Sequence, residues 1–194
     1  MSGMQLMGVQ CGKARRVLAD GRLVMTAIRK MAVAGPVAVK PLGLEGDEQV
    51  DLSVHGGLDK AVYAYPAEHY GFWQELRAKA GLNDIDGQLP PGSMGENLTL
   101  AGLLEGDVWV GDVLEFAQCS LRVTQAREPC SKFNIAMGFS TAVKAMAQSG
   151  RCGFYLAVQR PGSLQAGEPF VLHPGPRRLD ITENFNAKIF KHLR

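Results

Sequence analysis

Short apolar runs separated by glycine, proline and aspartate dominate the pattern of hydrophobic and polar positions along this chain. Apolar runs bounded by turn-forming residues are typical of β-strands. KAVYAY is apolar almost throughout, which indicates a central strand. Strands are predicted at MQLMGVQ, ARRVLA, RLVMTAI, PVAVK, KAVYAY, the two halves of DVWVGDVLEF, SLRVTQA, FYLAVQ and EPFVLH.

Two of these strand pairs are joined by short turns. Asp20-Gly21 lies between ARRVLA and RLVMTAI and predicts a two-residue hairpin. Gly111-Asp112 divides DVWVGDVLEF, and glycine at the first turn position predicts a type II′ hairpin there.

A helix is predicted over residues 66–80, which begin with proline and end before a glycine. Four apolar residues recur on one face there at helical spacing, so the aromatic residues among them are expected to pack into the core. The four residues are Tyr70, Trp73, Leu76 and Ala80.

Two further helices are predicted. One spans about residues 138–148, and the other covers the C-terminus, where Asp180 and Glu183 form a capping box. The apolar residues of the C-terminal helix recur every four positions: Ile181, Phe185, Ile189 and Leu193.

Many strands, few helices and no strand–helix alternation predict a mostly β protein with a few peripheral helices. A mainly antiparallel barrel or sandwich is the expected architecture. The sequence has no GxGxxG and no GxxxxGK[ST] motif, so dinucleotide or P-loop nucleotide binding has no support.

Composition restricts the class further. The chain has 194 residues, 46% of them hydrophobic, which fits a single domain with a substantial core. The net charge of +2 gives no indication of a nucleic-acid or membrane partner. No signal peptide and no apolar run of about 20 residues is visible, so a cytoplasmic protein with reduced thiols is expected.

Cys130 lies in REPCSKF, between Arg127 and Lys132 and directly after Pro129. The sequence places it where a strand ends and a helical turn begins. Unpaired N–H groups and neighbouring positive charges lower the pKa of a thiol, and the thiolate is both the nucleophile and the metal-ligand form. Cys130 is therefore either a reactive thiolate or a buried structural cysteine. The four cysteines are widely spaced without a CxxC motif, which argues against a zinc cluster and a disulfide framework.

A second polar segment spans residues 44–65, LEGDEQVDLSVHGGLDKAVYAY. Gly56 and Gly57 permit positive φ angles and a close approach of the backbone to a ligand. His55 and Lys60 supply possible charge-assisted donors to an anion. The alternative interpretation is a tight structural loop with a capping histidine.

A similar loop, GSMGENLTL, spans residues 92–100. Glu96 and Asn97 are expected to bond its backbone, which favours a structural function. A Cys-His hydrolase is not indicated, because no nucleophile-elbow motif surrounds Cys130. A zinc enzyme is not indicated either, because HExxH and paired cysteines are absent from the sequence.

Four motifs in order resemble the MOSC domain, and in particular its bacterial YiiM-like branch. They are GLEGDEQVDLSVHGGLDKAVYAYPAEHYGFW, GSMGENLTLAGL, VWVGDVLEF and REPCSKF…GRCGFYLAV. The resemblance covers about residues 1–175, which are expected to form the MOSC domain. Residues 176–194 are expected to form a helical tail, shorter than the three-helix extension typical of this branch. That helix is expected either to dock on the barrel or to pair with a second subunit in a homodimer.

The resemblance implies a β-barrel-like fold that binds the molybdenum cofactor, a pyranopterin dithiolene carrying a phosphate. It implies that Cys130 is the protein ligand of molybdenum. Members of this branch reduce N-hydroxylated compounds, including 6-hydroxylaminopurine, to amines, and so detoxify mutagenic base analogues. The resemblance also implies a separate flavin-containing reductase as the electron donor.

The positive charges around Cys130 fit this implication, because a soft thiolate suits molybdenum and cations stabilise an anionic cofactor. The expected cofactor-binding residues are Arg127, Lys132, His55, Gly56, Gly57, Lys60 and Asn97. Two alternatives remain: a non-catalytic carrier of the cofactor or of sulfur, with a persulfide on Cys130, and a binding barrel without activity.

Overall fold

The protein is described from a computed structural model, which covers residues 3–19, 21–50, 56–82 and 89–191. The strands are β1 (Gln5–Cys11), β2 (Arg15–Ala19), β3 (Arg22–Thr26), β4 (Met31–Ala32), β5 (Val37–Lys40), β6 (Gly43–Leu44), β7 (Val62–Pro66), β8 (Leu98–Ala101), β9 (Val113–Glu115), β10 (Ser120–Ala126), β11 (Phe154–Arg160), β12 (Gly162–Leu164) and β13 (Val171–His173). The helices are α1 (Tyr70–Lys79), α2 (Ser131–Met137), α3 (Ala142–Ser149) and α4 (Ile181–Lys191). No helix in these ranges has both the length and the apolar character needed to cross a membrane.

Eight strands form the main sheet, in the order β13-β9-β10-β11-β7-β8-β1-β4. All neighbours are antiparallel except the parallel pair β7 and β8. The Leu6 N–H of β1 donates to the Glu168 carbonyl at 2.9 Å, and the Gly167 N–H donates back to the Leu6 carbonyl at 2.7 Å. These bonds bring the first strand beside the residues that precede the last strand. The predicted mostly β, barrel-like fold is confirmed.

Two smaller sheets accompany the main one, with the strand orders β12-β5-β6 and β2-β3. Strands β2 and β3 form the hairpin predicted from sequence, because Ala19 lies opposite Arg22 and leaves a two-residue connection. Gly21 in this connection has φ 74°, a left-handed conformation that favours glycine. Asp20 lies outside the described residues.

The strand predicted from KAVYAY is central, as expected. All five residues of β7 are buried, and the strand lies between β11 and β8. Apolar side chains of the neighbouring strands β8 and β11, and of β10, form the core around it. Burial of these side chains stabilises the sheet. Fully buried members include Leu98, Leu100, Leu121, Val123, Phe154 and Leu156.

Helix α1 agrees with the predicted helix, except that its first residues, Ala67–His69, form a 3₁₀ turn. Trp73 is fully buried, as expected from its position on the apolar face. Ala80, at the end of the same face, is exposed. Its backbone N–H bonds the last carbonyls of α1, and the chain turns away from the core at this point.

The helix predicted over residues 138–148 begins later than expected. Gly138 adopts φ 78° and ends α2, because a left-handed residue cannot continue a helix. Helix α3 begins at Ala142 and ends before Gly150, which is also left-handed. The helical turn expected after Cys130 is confirmed as α2.

Helix α4 has the predicted capping box. The Glu183 N–H donates to Asp180 Oδ1 at 2.7 Å, and the Asp180 N–H lies 3.4 Å from Glu183 Oε2. Ile181 and Phe185 are fully buried, so the apolar face of this helix packs on the barrel, as one of the two predicted possibilities. Leu193 lies outside the described residues.

The hairpin predicted at Gly111-Asp112 was wrong. Only the second half of DVWVGDVLEF forms a strand, β9, and Trp109 instead makes an isolated bridge with Asp180. The Asp112 carboxylate is buried, where it accepts a hydrogen bond from the Trp109 N–H at 3.0 Å and pairs with Arg177 at 2.7 Å. This ion pair holds the segment against the residues before α4, so the two halves do not pair.

Candidate functional site

Cys130 lies between the end of β10 at Ala126 and the start of α2 at Ser131. It is the N-cap residue of α2, with an extended backbone at φ −126° and ψ 165°. Its carbonyl accepts a hydrogen bond from the Phe133 N–H at 2.8 Å. The residue is half-buried, so the predicted position of this thiol, where a strand meets a helix, is confirmed.

An open cavity of about 660 Å³, including the solvent at its mouth, adjoins Cys130. We call it the cysteine pocket. Its lining residues come from the end of β3, the loops after β3, β6 and β10, the loop before β8, the first turn of α2, and strands β7 and β11. They are Thr26, Ala27, Ile28, Lys30, Asp47, Glu48, Gln49, Val50, Gly56, Lys60, Tyr63, Gly95, Asn97, Arg127, Cys130, Lys132 and Tyr155.

Most of the site residues expected from sequence meet in this pocket. Gly57 follows Gly56 and begins the 3₁₀ turn Leu58–Lys60 without lining the cavity itself. His55 lies outside the described residues. The functions of all the expected site residues in cofactor binding stay predictions. The expected residues that line the pocket are Cys130, Arg127, Lys132, Gly56, Lys60 and Asn97.

Arg127 is a buried cation in the pocket wall, with only 4% of its surface exposed. Its Cζ atom lies 5.1 Å from the centroid of the Tyr63 ring and 4.8 Å from that of Phe133, and its Nη1 lies 3.4 Å from Met146 Sδ. Within the described part of the chain, Arg127 has no carboxylate partner. A desolvated guanidinium is costly unless an anion compensates it, so the wall is suited to an anionic ligand.

The other charged residues around the pocket also favour an anionic ligand. Among the described lining residues, the acidic Asp47 pairs with Lys30 at 2.5 Å, and the acidic Glu48 pairs with Lys13 at 3.1 Å. Besides Lys30, three further cations line the pocket and make its described lining rich in positive charge. Those cations are Lys60, Arg127 and Lys132.

Gly56 lines one edge of the pocket, and Gly57 follows it directly. Gly56 and Gly57 have φ 94° and 79°, which side chains rarely adopt, so the predicted need for glycine is confirmed. The Thr124 hydroxyl lies 2.6 Å from the Asp59 carbonyl and ties the following turn to β10. As a result, Lys60 Nζ lies 5.7 Å from the centroid of the Tyr155 ring.

The GSMGEN loop is held together by Glu96, as predicted. Its buried carboxylate accepts hydrogen bonds from the Gly92 N–H at 2.8 Å, the Met94 N–H at 3.0 Å and the Thr99 hydroxyl at 3.0 Å. Gly95 has φ 86°, and a Cβ atom there would lie 2.8 Å from a side-chain atom of Ile28. The loop is therefore a rigid wall of the pocket.

Asn97 is occupied by protein contacts. Its Nδ2 donates to Asp47 Oδ2 at 2.9 Å and to the Gln10 carbonyl at 3.2 Å, while its Oδ1 accepts from the Tyr63 N–H at 3.1 Å. Asn97 thus joins three parts of the wall and orients Asp47. Its predicted contact with a cofactor would have to come in addition to these bonds.

Several lining residues, among them two tyrosines and the pair of Lys30 and Asp47, were not predicted as site residues from sequence. Tyr63 on β7 and Tyr155 on β11 lie directly opposite each other, and burial raises the pKa of both hydroxyls. Alternation along a strand does not say which face meets a ligand, so no signal singled them out. Lys30 and Asp47 are far apart along the chain, and only the fold brings them together.

The other three cysteines differ from Cys130. Burial raises the pKa of Cys119 to about 12, and it also raises the pKa of Cys11 and Cys152. These groups stay protonated thiols at neutral pH, and none of them lines the cysteine pocket. In the residues that the structure describes, no group of three or more His, Cys, Asp or Glu side chains is arranged to hold a metal ion.

The fold and the pocket define a class: a barrel-like β protein with a pocket lined by one thiol and several cations. The chain belongs to the MOSC domain family, whose model matches residues 51–171. YiiM of Escherichia coli is 36% identical over 169 residues, which is 87% of this chain and 72% of that protein. The crystal structure of YiiM from Geobacillus stearothermophilus has 33% identity and a TM-score of 0.76, and the match covers 98% of this chain and 86% of that chain.

A longer fungal protein is also similar. A protein of Gibberella moniliformis named "Reductase" is 30% identical over 173 residues, which is 88% of this chain. The match covers only 29% of that fungal protein. The similarity therefore concerns one region of a much longer polypeptide.

Proposed function

We propose that this protein is a molybdenum-cofactor-dependent reductase of N-hydroxylated compounds of the 6-hydroxylaminopurine type. The reaction is R–NHOH + 2 e⁻ + 2 H⁺ → R–NH₂ + H₂O, in which the N–O bond is cleaved and the nitrogen is reduced. Such a reaction removes mutagenic base analogues. Membership of the MOSC family and similarity to a protein named "Reductase" support an oxidoreductase that uses this cofactor.

The observation that carries the proposal is the pairing of Cys130 with the buried Arg127 in one pocket. Thiolate sulfur is a soft ligand of the kind that molybdenum accepts, and a guanidinium is a strong partner for phosphate or thiolate. The donors present therefore fit a group that is both a soft metal centre and an anion. The cofactor, when bound, supplies the two-electron chemistry.

The residues of this chain are proposed to bind and orient the cofactor. Cys130 is the proposed thiolate ligand, and Arg127 and Lys132 offset the negative charge that ligand and cofactor bring together. The left-handed backbone at Gly56 allows a ligand to approach the main chain closely. The face-to-face strand positions of Tyr63 and Tyr155 give the pocket an aromatic floor.

Electrons are proposed to come from a separate flavin-containing reductase. The residues described here include no cofactor motif for flavin or nicotinamide, and the sequence has no dinucleotide-binding fingerprint. The fungal "Reductase" is consistent with a division of work, because most of its length lies outside the region similar to this chain.

The proposal is tested with Cys130→Ser, produced in a host that makes the molybdenum cofactor. The expected results are loss of molybdenum from the purified protein and loss of 6-hydroxylaminopurine reduction driven by reduced benzyl viologen. Cys11→Ser is the matched control, since Cys11 is also half-buried but lies outside the pocket lining, and it should keep both properties.

Full activity in Cys130→Ser would refute the proposal that Cys130 is the molybdenum ligand. A different outcome identifies the carrier function: sulfane sulfur on Cys130 in wild-type protein that holds no molybdenum. Circular dichroism of both variants shows whether the fold is intact, so that a folding defect is not mistaken for loss of a ligand.

A further inference from the structure

The β2–β3 hairpin presents an exposed apolar face. Leu18 lies opposite Leu23, and Arg16 lies opposite Met25, so these four side chains share one face. Leu18 is 70% exposed and Leu23 is 67% exposed. The hairpin forms a sheet of its own, and a two-stranded sheet with an uncovered apolar pair is only marginally stable in water. A surface that covers this face would stabilise it.

The same segment is strongly basic. Residues 12–31 contain six Lys or Arg residues, and Asp20 is the single acidic residue among them. Lys13 and Lys30 are paired with Glu48 and Asp47. The other four cations are exposed and form no ion pair with any described residue: Arg15, Arg16, Arg22 and Arg29.

The hairpin adjoins the cysteine pocket. Its last residue, Thr26, lines the pocket together with Ala27 and Ile28. Arg15 lies directly opposite Thr26. A strand of five residues is about 17 Å long, so the whole hairpin stays within about that distance of the pocket wall. A protein bound to the hairpin would therefore lie beside the pocket.

We propose that the Arg16, Leu18, Leu23 and Met25 face of this hairpin is the docking surface for an acidic electron-donor protein. The inference rests on the proposed function, which requires two electrons from a partner. An apolar pair beside an arginine, here Arg16, is typical of a protein interface. Arg15 and Arg22 lie on the opposite face of the same hairpin, and together these charges attract an acidic partner and speed the encounter. Bare phosphate backbones would not use the leucine pair, so nucleic acid fits this face less well.

The experiment compares two electron donors with one substrate, 6-hydroxylaminopurine. Reduced benzyl viologen is a small donor that needs no docking surface. Reduced flavodoxin, a small acidic flavin protein, is the probe for docking. The variants are Arg16→Glu and Leu23→Ser, and the matched controls are Arg178→Glu and Leu42→Ser, which make the same changes at exposed positions outside the hairpin.

Viologen-driven turnover is expected to stay within about twofold of wild type in all four variants. Flavodoxin-driven turnover is expected to fall about tenfold in the two hairpin variants alone, and in wild type it should decrease as salt screens the charges. An inactive wild type with viologen would refute the proposed function itself.

Other results overturn only the docking inference. The docking inference would be refuted if wild-type protein were active with viologen but inactive with flavodoxin. It would also be refuted if the hairpin variants and their controls had the same flavodoxin-driven turnover. A change of oligomeric state in Leu23→Ser, measured by size-exclusion chromatography with light scattering, would assign the face to a second copy. Binding of duplex DNA that is lost in Arg16→Glu would assign it to nucleic acid.

Discussion

At the residue scale, Arg127 combines two properties that rarely occur together: it is buried, and its neighbours among the described residues are aromatic rings and a thioether sulfur instead of a carboxylate. Contact with rings recovers part of the lost hydration of the guanidinium. No carboxylate in the described residues offsets the rest, and an anionic ligand would do so. This residue is therefore expected to lower the stability of the unliganded protein while it strengthens ligand binding.

Arg127→Met tests this opposition. Removing a desolvated charge at nearly constant volume should raise the free energy of unfolding of the unliganded protein by about 1 kcal/mol, and its Tm by about 3 °C. Molybdenum retained by the purified variant should fall about tenfold, because the anion loses its buried partner. Thermal unfolding and metal analysis measure the two effects. Arg122→Met, at an exposed position on β10, should change neither, and a lower Tm for Arg127→Met would refute the argument.

Glu105 gives a pH dependence to stability. Burial by itself raises the pKa of this carboxyl, but the hydrogen bond and charge interaction with His69, at 2.7 Å, bring the pKa below its ordinary value of 4.5. A lowered folded-state pKa stabilises the fold at pH values above the unfolded-state pKa, and this stabilisation is lost as pH falls through the folded-state pKa.

The expected result is that Glu105→Gln costs about 2 kcal/mol in the free energy of unfolding at pH 7 and progressively less below pH about 4.5. Urea unfolding of wild type and variant at several pH values measures the difference. A difference that stays constant down to pH about 3 would show that the ionised carboxylate is not what stabilises this contact. Glu75→Gln, on the partly exposed surface of α1, is the control.

At the scale of elements, α4 holds the strand end that leads to Cys130. Asn184 Oδ1 accepts a hydrogen bond from the Ala126 N–H at 2.8 Å. Lys188 Nζ lies 2.5 Å from Gln125 Oε1 and 2.7 Å from Glu128 Oε1. These contacts fix the main chain and side chains of the segment directly before the thiol, so the C-terminal helix positions Cys130 without entering the pocket.

Asn184→Ala is therefore expected to loosen the cysteine segment. The backbone N–H of the buried residue Ala126 loses its hydrogen-bond acceptor, which should lower the free energy of unfolding by about 1 to 2 kcal/mol. Alkylation of Cys130 by iodoacetamide in cofactor-free protein should also become several-fold faster. Asn186→Ala, at an exposed position of the same helix, should leave both quantities unchanged. Unchanged alkylation in Asn184→Ala would contradict a positioning function.

Elements such as β7 and β10 were predictable because their patterns are local: apolar residues alternate or run on between turn-forming residues. The failures have causes that lie elsewhere in the chain. Asp112 leaves its predicted hairpin for Arg177, 65 positions later. The burial of Arg127 depends on Tyr63 and Phe133 from other elements, so the sequence showed a charge near a cysteine but not its desolvation.

At the scale of the whole molecule, binding of an anion in the cysteine pocket is linked to global stability. A ligand that binds only the folded state, present at about 100 times its Kd, adds about 2.7 kcal/mol to the free energy of unfolding. That corresponds to a Tm increase of about 8 °C for a chain of this size.

We expect this increase when protein from a cofactor-producing host is compared with protein from a host that lacks cofactor synthesis. Differential scanning calorimetry together with molybdenum content measures it, and Arg127→Met should show most of the increase abolished. Equal Tm values at clearly different molybdenum contents would show that the cofactor does not contact the folded core.

The bonds between Leu6 and residues 167–168 also have a consequence for biosynthesis. During translation the first strand emerges long before the residues that flank it on one side, so its edge stays open while most of the chain is made. Contacts so distant in sequence slow folding, and an unpaired edge invites association with other nascent chains. The nascent chain should therefore need a chaperone that covers the edge of β1 until the residues before β13 leave the ribosome.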